Sequence, residues 1–180
     1  MTIASIRRAR PEDAPLLAAA ERSVARTPGR LASTPEEITD GGIRATIEKL
    51  ADGRGAFFVA EDGGRLVGHA LLEPLPLTAT SHVVRLTIVV HEGNERRGIG
   101  RALMNELLSW ARSNPRVDKV ELQVRSSNEA AIALYRSLGF VEEGRKTKRI
   151  KIGPNEYLDD VYLALWVGTT NTAPAPSGLP

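Results

Sequence analysis

The stretch Leu86-Thr-Ile-Val-Val90-His-Glu-Gly-Asn-Glu-Arg-Arg-Gly-Ile-Gly100-Arg-Ala-Leu-Met104 decides the fold. A run of β-branched and apolar residues, Leu86 to Val90, gives way to a polar, glycine-containing turn. A helix-forming stretch follows, with apolar residues at Leu103, Leu107 and Ala111. The reading is strand, loop, helix. The first turn of such a helix presents unpaired backbone N–H groups and the positive end of the peptide dipole, which suits an anion. Gly98 and Gly100 carry no Cβ and let backbone approach a bulky diphosphate, while Arg96, Arg97 and Arg101 supply positive charge around it. The spacing is neither G-x-G-x-x-G nor a Walker loop, since no third glycine and no Lys-Ser/Thr pair follows. Two glycines alone fit an ordinary connection with solvated arginines better, so the rest of the chain must decide.

Composition narrows the possibilities. With 180 residues and 42% hydrophobic content, the chain is long enough for one domain with a full core. The 24 basic and 22 acidic residues leave a net charge of +2, so no nucleic-acid partner is required by charge. The absence of cysteine excludes disulfides, thiolate metal sites and a cysteine nucleophile. His69, His82 and His91 are too scattered to suggest a metal cluster, and no metal is expected. No apolar run approaches the roughly 18–20 residues of a membrane span, and the N-terminus shows no signal-like apolar region. A cytoplasmic protein without a membrane partner is expected.

In chain order, the pattern predicts a first strand over Thr2 to Arg8 and a helix opened by Pro11 that ends near Thr27-Pro28-Gly29. Thr34-Pro35-Glu36-Glu37 predicts a second helix start with a capping box, interrupted by a loop or kink at Asp40-Gly41-Gly42. Strands at Ala56 to Ala60 and Arg65 to Glu73 flank the hairpin signal Glu61-Asp62-Gly63-Gly64, and Leu75 to Ser81 shows no pattern. Val117 to Val124 alternates as a strand, and Asn128 to Leu138 reads as a helix closed by Gly139. A final hairpin pairs Val141 to Ile152 with Tyr157 to Trp166. Residues 168–180 read as a disordered tail beyond a domain spanning 1–167.

Arg96-Arg-Gly98-Ile-Gly100-Arg-Ala-Leu103, followed by Asn128-x-x-Ala131-x-x-x-Tyr135-x-x-x-Gly139-Phe140, resembles the GCN5-related N-acetyltransferase (GNAT) family over most of the chain. The resemblance implies a single-domain mixed α/β acyl-CoA N-acyltransferase fold, with a central sheet of about seven strands flanked by helices. The central strand and the next parallel strand would splay apart to admit acetyl-CoA as cosubstrate. Backbone N–H groups of Arg96, Arg97, Gly98, Ile99, Gly100 and Arg101 would hold its pyrophosphate. Main-chain groups of Ile88 and Val90 would bond the pantetheine arm like an added strand, and an N–H near Ile88 or Val89 would stabilise the oxyanion. Asn128 matches the position whose amide contacts the cofactor arm, and Tyr135 matches the general acid for the departing thiolate.

The resemblance implies direct transfer to a primary amine of a small molecule or of a protein. It carries over no base. Gln123 stands where peptide α-amino acetylases of the family have glutamate, and Arg85 and Thr87 occupy the strand where histone-type members have one. Glu73, Glu92, His91 and Glu121 are the remaining candidates. Glu95 departs from the motif, which usually begins with glutamine or arginine, and weakens the cofactor site unless it turns away from the pyrophosphate or pairs with Arg96 or Arg97. Arg145-Lys-Thr-Lys-Arg-Ile-Lys151 reads first as the solvated face of a hairpin and second as an anion-binding patch for an acidic substrate or RNA. A CoA-binding regulatory module without turnover is the alternative function, and a homodimer is compatible with the resemblance.

Overall fold

The computed structural model describes residues 4–168, so nearly all of the expected tail, and Thr2 and Ile3 of the expected first strand, lie outside the described residues. The elements run β1 (Ser5–Arg8), α1 (Ala14–Ala25), α2 (Asp40–Leu50), β2 (Ala56–Asp62), β3 (Arg65–Pro74), β4 (Val83–Val90), α3 (Ile99–Ser113), β5 (Lys119–Arg125), α4 (Glu129–Ser137), β6 (Val141–Gly153) and β7 (Glu156–Trp166). One sheet contains all seven strands in the order β1-β2-β3-β4-β5-β7-β6. Every neighbouring pair is antiparallel except β4 and β5, which are joined through α3 and run parallel.

That parallel pair is short. Val83, Val84 and Arg85 face Lys119, Val120 and Glu121, and pairing stops there. The outer partners continue, β3 alongside β4 as far as Gly68 opposite Val90, and β7 alongside β5 as far as Asp160 opposite Arg125. The two halves of the sheet therefore diverge from Leu86 and Leu122 onward, as the resemblance implies.

Each face of the sheet has its own core because successive strand residues point to opposite sides. On one face Leu103, Met104, Leu107 and Ala111 of α3 pack on Phe58, Ala70, Leu72 and Leu122. Leu103, Met104, Leu107 and Ala111 are completely buried, which confirms the helical spacing read from the sequence. At about 1.5–3 kcal/mol for each large side chain removed from water, this face anchors the start of α3 against the strand before it. On the other face Leu17 of α1 and Ile47 and Leu50 of α2 cover Phe57, Val59 and Leu71.

The second helix begins later than expected. Pro35–Glu37 forms a single 3-10 turn, with the Thr34 N–H donating to Glu37 Oε2 at 2.7 Å. Ile38 is extended and its carbonyl accepts from Arg22 Nη1 at 3.0 Å, so it cannot continue the helix. Thr39 caps α2 instead, its Oγ accepting from the Gly42 N–H at 3.1 Å, which places Gly41 and Gly42 in the first turn rather than at a kink. The first hairpin turn is also tighter than expected. Only Gly63 and Gly64 lie between the strands, both with positive φ, +56° and +79°. Leu75 to Ser81 contains one short 3-10 turn, Thr78–Thr80.

The basic segment lies on β6, the exposed edge of the sheet, where charge opposes pairing with another strand. Arg145 is within 3.7 Å of Glu142 and 3.5 Å of Asp159, and Lys146 sits 4.7 Å above the Tyr162 ring. Lys148 takes a left-handed φ of 51° and its N–H donates to Asp159 Oδ1 at 2.8 Å, which breaks the β6–β7 register there. Among the described residues no helix is long and apolar enough to cross a membrane.

Candidate active site

A cleft of about 400 Å³ opens where β4 and β5 part. Strand alternation gives it two chemically different sides. Leu86, Ile88, Leu122 and Val124 turn to the face that carries α3, while Arg85, Thr87, Gln123 and Arg125 turn to the face that carries α1. Glu21 from α1 and the segment Arg30 to Ser33 close the α1 side, and Asn128 and Tyr135 complete the wall.

The backbone of β4 is prepared for a ligand. The His91 N–H donates to Val67 O at 3.0 Å, so alternation sends the amides of Val89 and Thr87 toward β3 as well. Those of Ile88 and Val90 point to the open edge. Of the two oxyanion donors the sequence suggested, the Ile88 N–H therefore faces the cleft and that of Val89 does not.

At the end of β4 the loop adopts three left-handed residues, Gly93, Arg96 and Gly98, with φ of 78°, 60° and 81°. Such turns aim successive N–H groups into one concavity. Gly98 is the N-cap of α3, and its positive φ is the reason for glycine there. Gly100 differs. A Cβ at that position would meet Leu134 and Val90 at an ordinary 3.6 Å, whereas one at Gly98 would meet nothing within 4 Å, so the open space in front of the helix lies over Gly98. The unpaired N–H groups of Ile99, Gly100 and Arg101 line that space.

The loop arginines are not equivalent. Arg97 donates to Asp62 Oδ2 at 2.6 Å and to Asn94 Oδ1 at 2.9 Å, and Arg101 donates to Ser137 Oγ at 3.0 Å. Arg96 has no hydrogen bond or ion pair to another described residue and is the guanidinium available to a diphosphate. Glu95 turns toward Arg30 at 3.8 Å, a cation the sequence did not suggest. These features fit a CoA pyrophosphate, since the donor set is main-chain N–H plus one free cation and the space over Gly98 is open.

Asn128 caps α4, its Oδ1 accepting from the Ala131 N–H at 3.2 Å, which leaves its amide N–H groups for the cleft. Tyr135 follows on α4 with only 6% of its surface exposed, its ring 5.8 Å from that of Phe140. Gly139, at φ +94°, ends the helix and returns the chain to Phe140, whose N–H donates to Tyr135 O at 3.1 Å. Its phenol has no hydrogen-bond partner among the described residues. Burial pushes the phenol well above its usual range, so it enters any reaction near neutral pH as a proton donor.

None of the four carboxylate and histidine candidates lines the cleft. Glu73 lies 3.6 Å from Lys49, Glu92 accepts from Ser23 Oγ, and Glu121 sits in the closed part of the β4–β5 pair. His91 is buried, and burial together with His69 pushes it down to about 4, so its ring is neutral. Its Nε2 lies 2.9 Å from Nδ1 of His69, whose Nε2 is 2.7 Å from Glu21 Oε1. Glu21 was not expected. The usable signal was His69 itself, a polar ring in the middle of an apolar strand, which demands a buried partner. No group of three or more metal-ligating side chains is placed to hold an ion among the described residues.

A model described as the acetyltransferase (GNAT) family matches residues 25–140. The chain is 38% identical over 104 residues to the N-alpha-acetyltransferase RimI of Mycobacterium tuberculosis, a match covering 58% of this chain and 63% of that protein. It is 36% identical over 118 residues to the L-amino acid N-acetyltransferase AaaT of Escherichia coli, covering 65% of this chain and 72% of that one. The solved structure of a GNAT-superfamily phosphinothricin acetyltransferase from Sinorhizobium meliloti, in complex with acetyl-CoA, superposes with a TM-score of 0.85. At 22% identity over 99% of this chain and 97% of that one, the likeness is one of fold.

Proposed function

The chain belongs to the acetyltransferase (GNAT) family, and from that premise we propose that it is an acetyl-CoA-dependent N-acetyltransferase acting on an α-amino group, of a free amino acid or of a peptide N-terminus. The observations that carry this reading are the cleft between β4 and β5, with Tyr135 in its wall, and the left-handed loop that follows β4 into the N-terminus of α3. Two relatives support the acceptor class, one named an N-alpha-acetyltransferase and the other an L-amino acid N-acetyltransferase. The α1 side of the cleft supports it too. Arg85 supplies a cation for a carboxylate or carbonyl group, beside Arg30 and Arg125, which face Glu95 and Asp160, and Glu21 supplies a carboxylate for the amine.

The thioester supplies an activated acetyl group, and the protein supplies placement. The cradle from Arg96 to Arg101 would hold the diphosphate, and the open edge at Ile88 and Val90 would fix the arm so that its carbonyl lies near the Ile88 N–H. Orientation of a neutral amine against that carbonyl provides most of the acceleration. Tyr135 donates to the departing sulfur, and direct transfer needs no protein nucleophile. A cytoplasmic location belongs to the same proposal, since it provides access to acetyl-CoA.

The experiment is thiol release from acetyl-CoA with a panel of free L-amino acids and short peptides, with the acetylated product identified by mass spectrometry. Acceptor-dependent release is the expected result. Acetyl-CoA binding without turnover on any acceptor would favour the regulatory module instead.

A further inference from the structure

Glu21, His69 and His91 form a hydrogen-bonded chain that starts in the cleft and ends inside the protein, at a peptide oxygen. Its far end fixes its protonation. His91 Nδ1 lies 2.9 Å from Leu66 O, which can only accept, so Nδ1 carries a proton. The neutral His91 then presents a lone pair at Nε2, and His69 Nδ1, 2.9 Å away, must donate to it. A third proton is needed between His69 Nε2 and Glu21 Oε1, 2.7 Å apart, or two lone pairs would face each other. With three protons every contact is satisfied and the unit has no net charge. His69 is completely buried and stacks at 5.7 Å on Phe57, so its ring cannot turn to find another partner.

The near end is open. Glu21 Oε2 has no hydrogen-bond partner among the described residues, and it is not among the buried polar atoms lacking one, so it is accessible from the cleft that Glu21 lines. Building on the acetyltransferase reading, we propose that Glu21 is the base that takes the proton of the attacking amine, with His69 as the positioning residue that receives the displaced proton. The amine N–H bond breaks and an O–H bond forms at Oε2. The proton linking Oε1 to Nε2 moves onto His69, and the unit gains the single positive charge that the ammonium brought. His91 and Leu66 hold the tautomer that makes His69 the receiver, and the proton returns to water from Oε2 when product leaves. The other charged or titratable groups that line the cleft are Arg30, Arg85, Tyr135 and Arg125, of which Arg30 lies near Glu95 and Arg125 is paired with Asp160. Among the described residues Glu21 is the only carboxylate that lines the cleft, while Glu92 accepts from Ser23 and Asp160 is paired with Arg125.

Glu21→Gln tests this, with acceptors found active on the wild type in the amino acid and peptide panel. Near neutral pH its kcat/KM for the acceptor should fall about 100-fold, with acetyl-CoA affinity unchanged. The deficit should shrink as pH rises and the amine deprotonates unaided. A uniform loss at every pH, or no loss, overturns the proposal. A wild type inactive on all acceptors overturns the parent reading instead. Should Glu21→Gln not fold, ring nitrogen NMR of the wild type decides. His91 should be a single Nδ1–H tautomer and His69 should hold a proton at both nitrogens or share one with Glu21. A His69 ring with one unshared proton overturns the proposal.

Discussion

Substituting Gly100 by glutamate separates ligand binding from folding. The residue sits in the first turn of α3 with no positive φ, and a Cβ there meets only Leu134 and Val90 at 3.6 Å. No strain is introduced. Replacing glycine within a helix recovers up to about 1 kcal/mol, and a carboxylate near a helix N-terminus adds about 0.3–1 kcal/mol. The free variant should therefore melt a few degrees above wild type, at about 2–4 °C per kcal/mol for a domain of this size. With acetyl-CoA the order should reverse. At 100 times its dissociation constant the ligand adds about 2.7 kcal/mol to wild type, a shift of about 5–10 °C. In the variant a carboxylate about 4 Å from a phosphate costs about 4 kcal/mol at an effective dielectric of about 20, or nearly a thousandfold in affinity. The same ligand concentration should then give no measurable shift. Thermal melting with and without acetyl-CoA is the assay. A folded variant that retains the wild-type shift would refute the assignment of the cradle.

Three further outcomes follow from the same geometry. Tyr135→Phe should lower kcat by about 100-fold or more with acetyl-CoA affinity and melting temperature nearly unchanged, because the phenol has no protein partner to lose; steady-state kinetics beside a melt checks this. Asp160→Asn should destabilise by about 3–5 kcal/mol, roughly 10 °C, because Asp160 is 2% exposed and its loss leaves the Arg125 guanidinium buried without its anion. Acid should weaken the fold in two stages, read from urea midpoints across pH. Between about 6.5 and about 4 the unfolded chain protonates a histidine that the fold keeps neutral at His91, so stability falls. Arg7, bonded to both oxygens of Asp13 at 2.8 and 2.9 Å, holds that carboxyl below its usual range, so its contribution is intact above about pH 4 and is lost as pH falls further. Unchanged midpoints between pH 7 and 5 would contradict the first stage.

Local chemistry made much of this legible. The β4–loop–α3 unit followed from a change of apolar period at Val90 and from two glycines, and α4 followed from Asn128 at one end and Gly139 at the other. What the sequence hid was tertiary. Thr39 rather than Thr34 caps α2 because Ile38 is 7% exposed and its carbonyl is taken by Arg22. Glu95 is accommodated by Arg30, 65 positions earlier, and Arg97 leaves the loop for Asp62 on β2. The base was sought at Glu73, His91, Glu92 and Glu121, which lie on β3, just after β4 and on β5. The carboxylate in the cleft instead comes from α1, held by a histidine 48 positions away, a relation no spacing rule encodes.

The most direct test of the account is whether acetyl-CoA and an α-amine together yield N-acetylated product on this protein. Mass spectrometry of the amino acid and peptide panel should show one added acetyl group on at least one acceptor, matched by an equal amount of free CoA and formed about 100-fold or more slowly by Tyr135→Phe. Thiol release no faster than buffer with every acceptor, from a protein that still melts cooperatively, would contradict it.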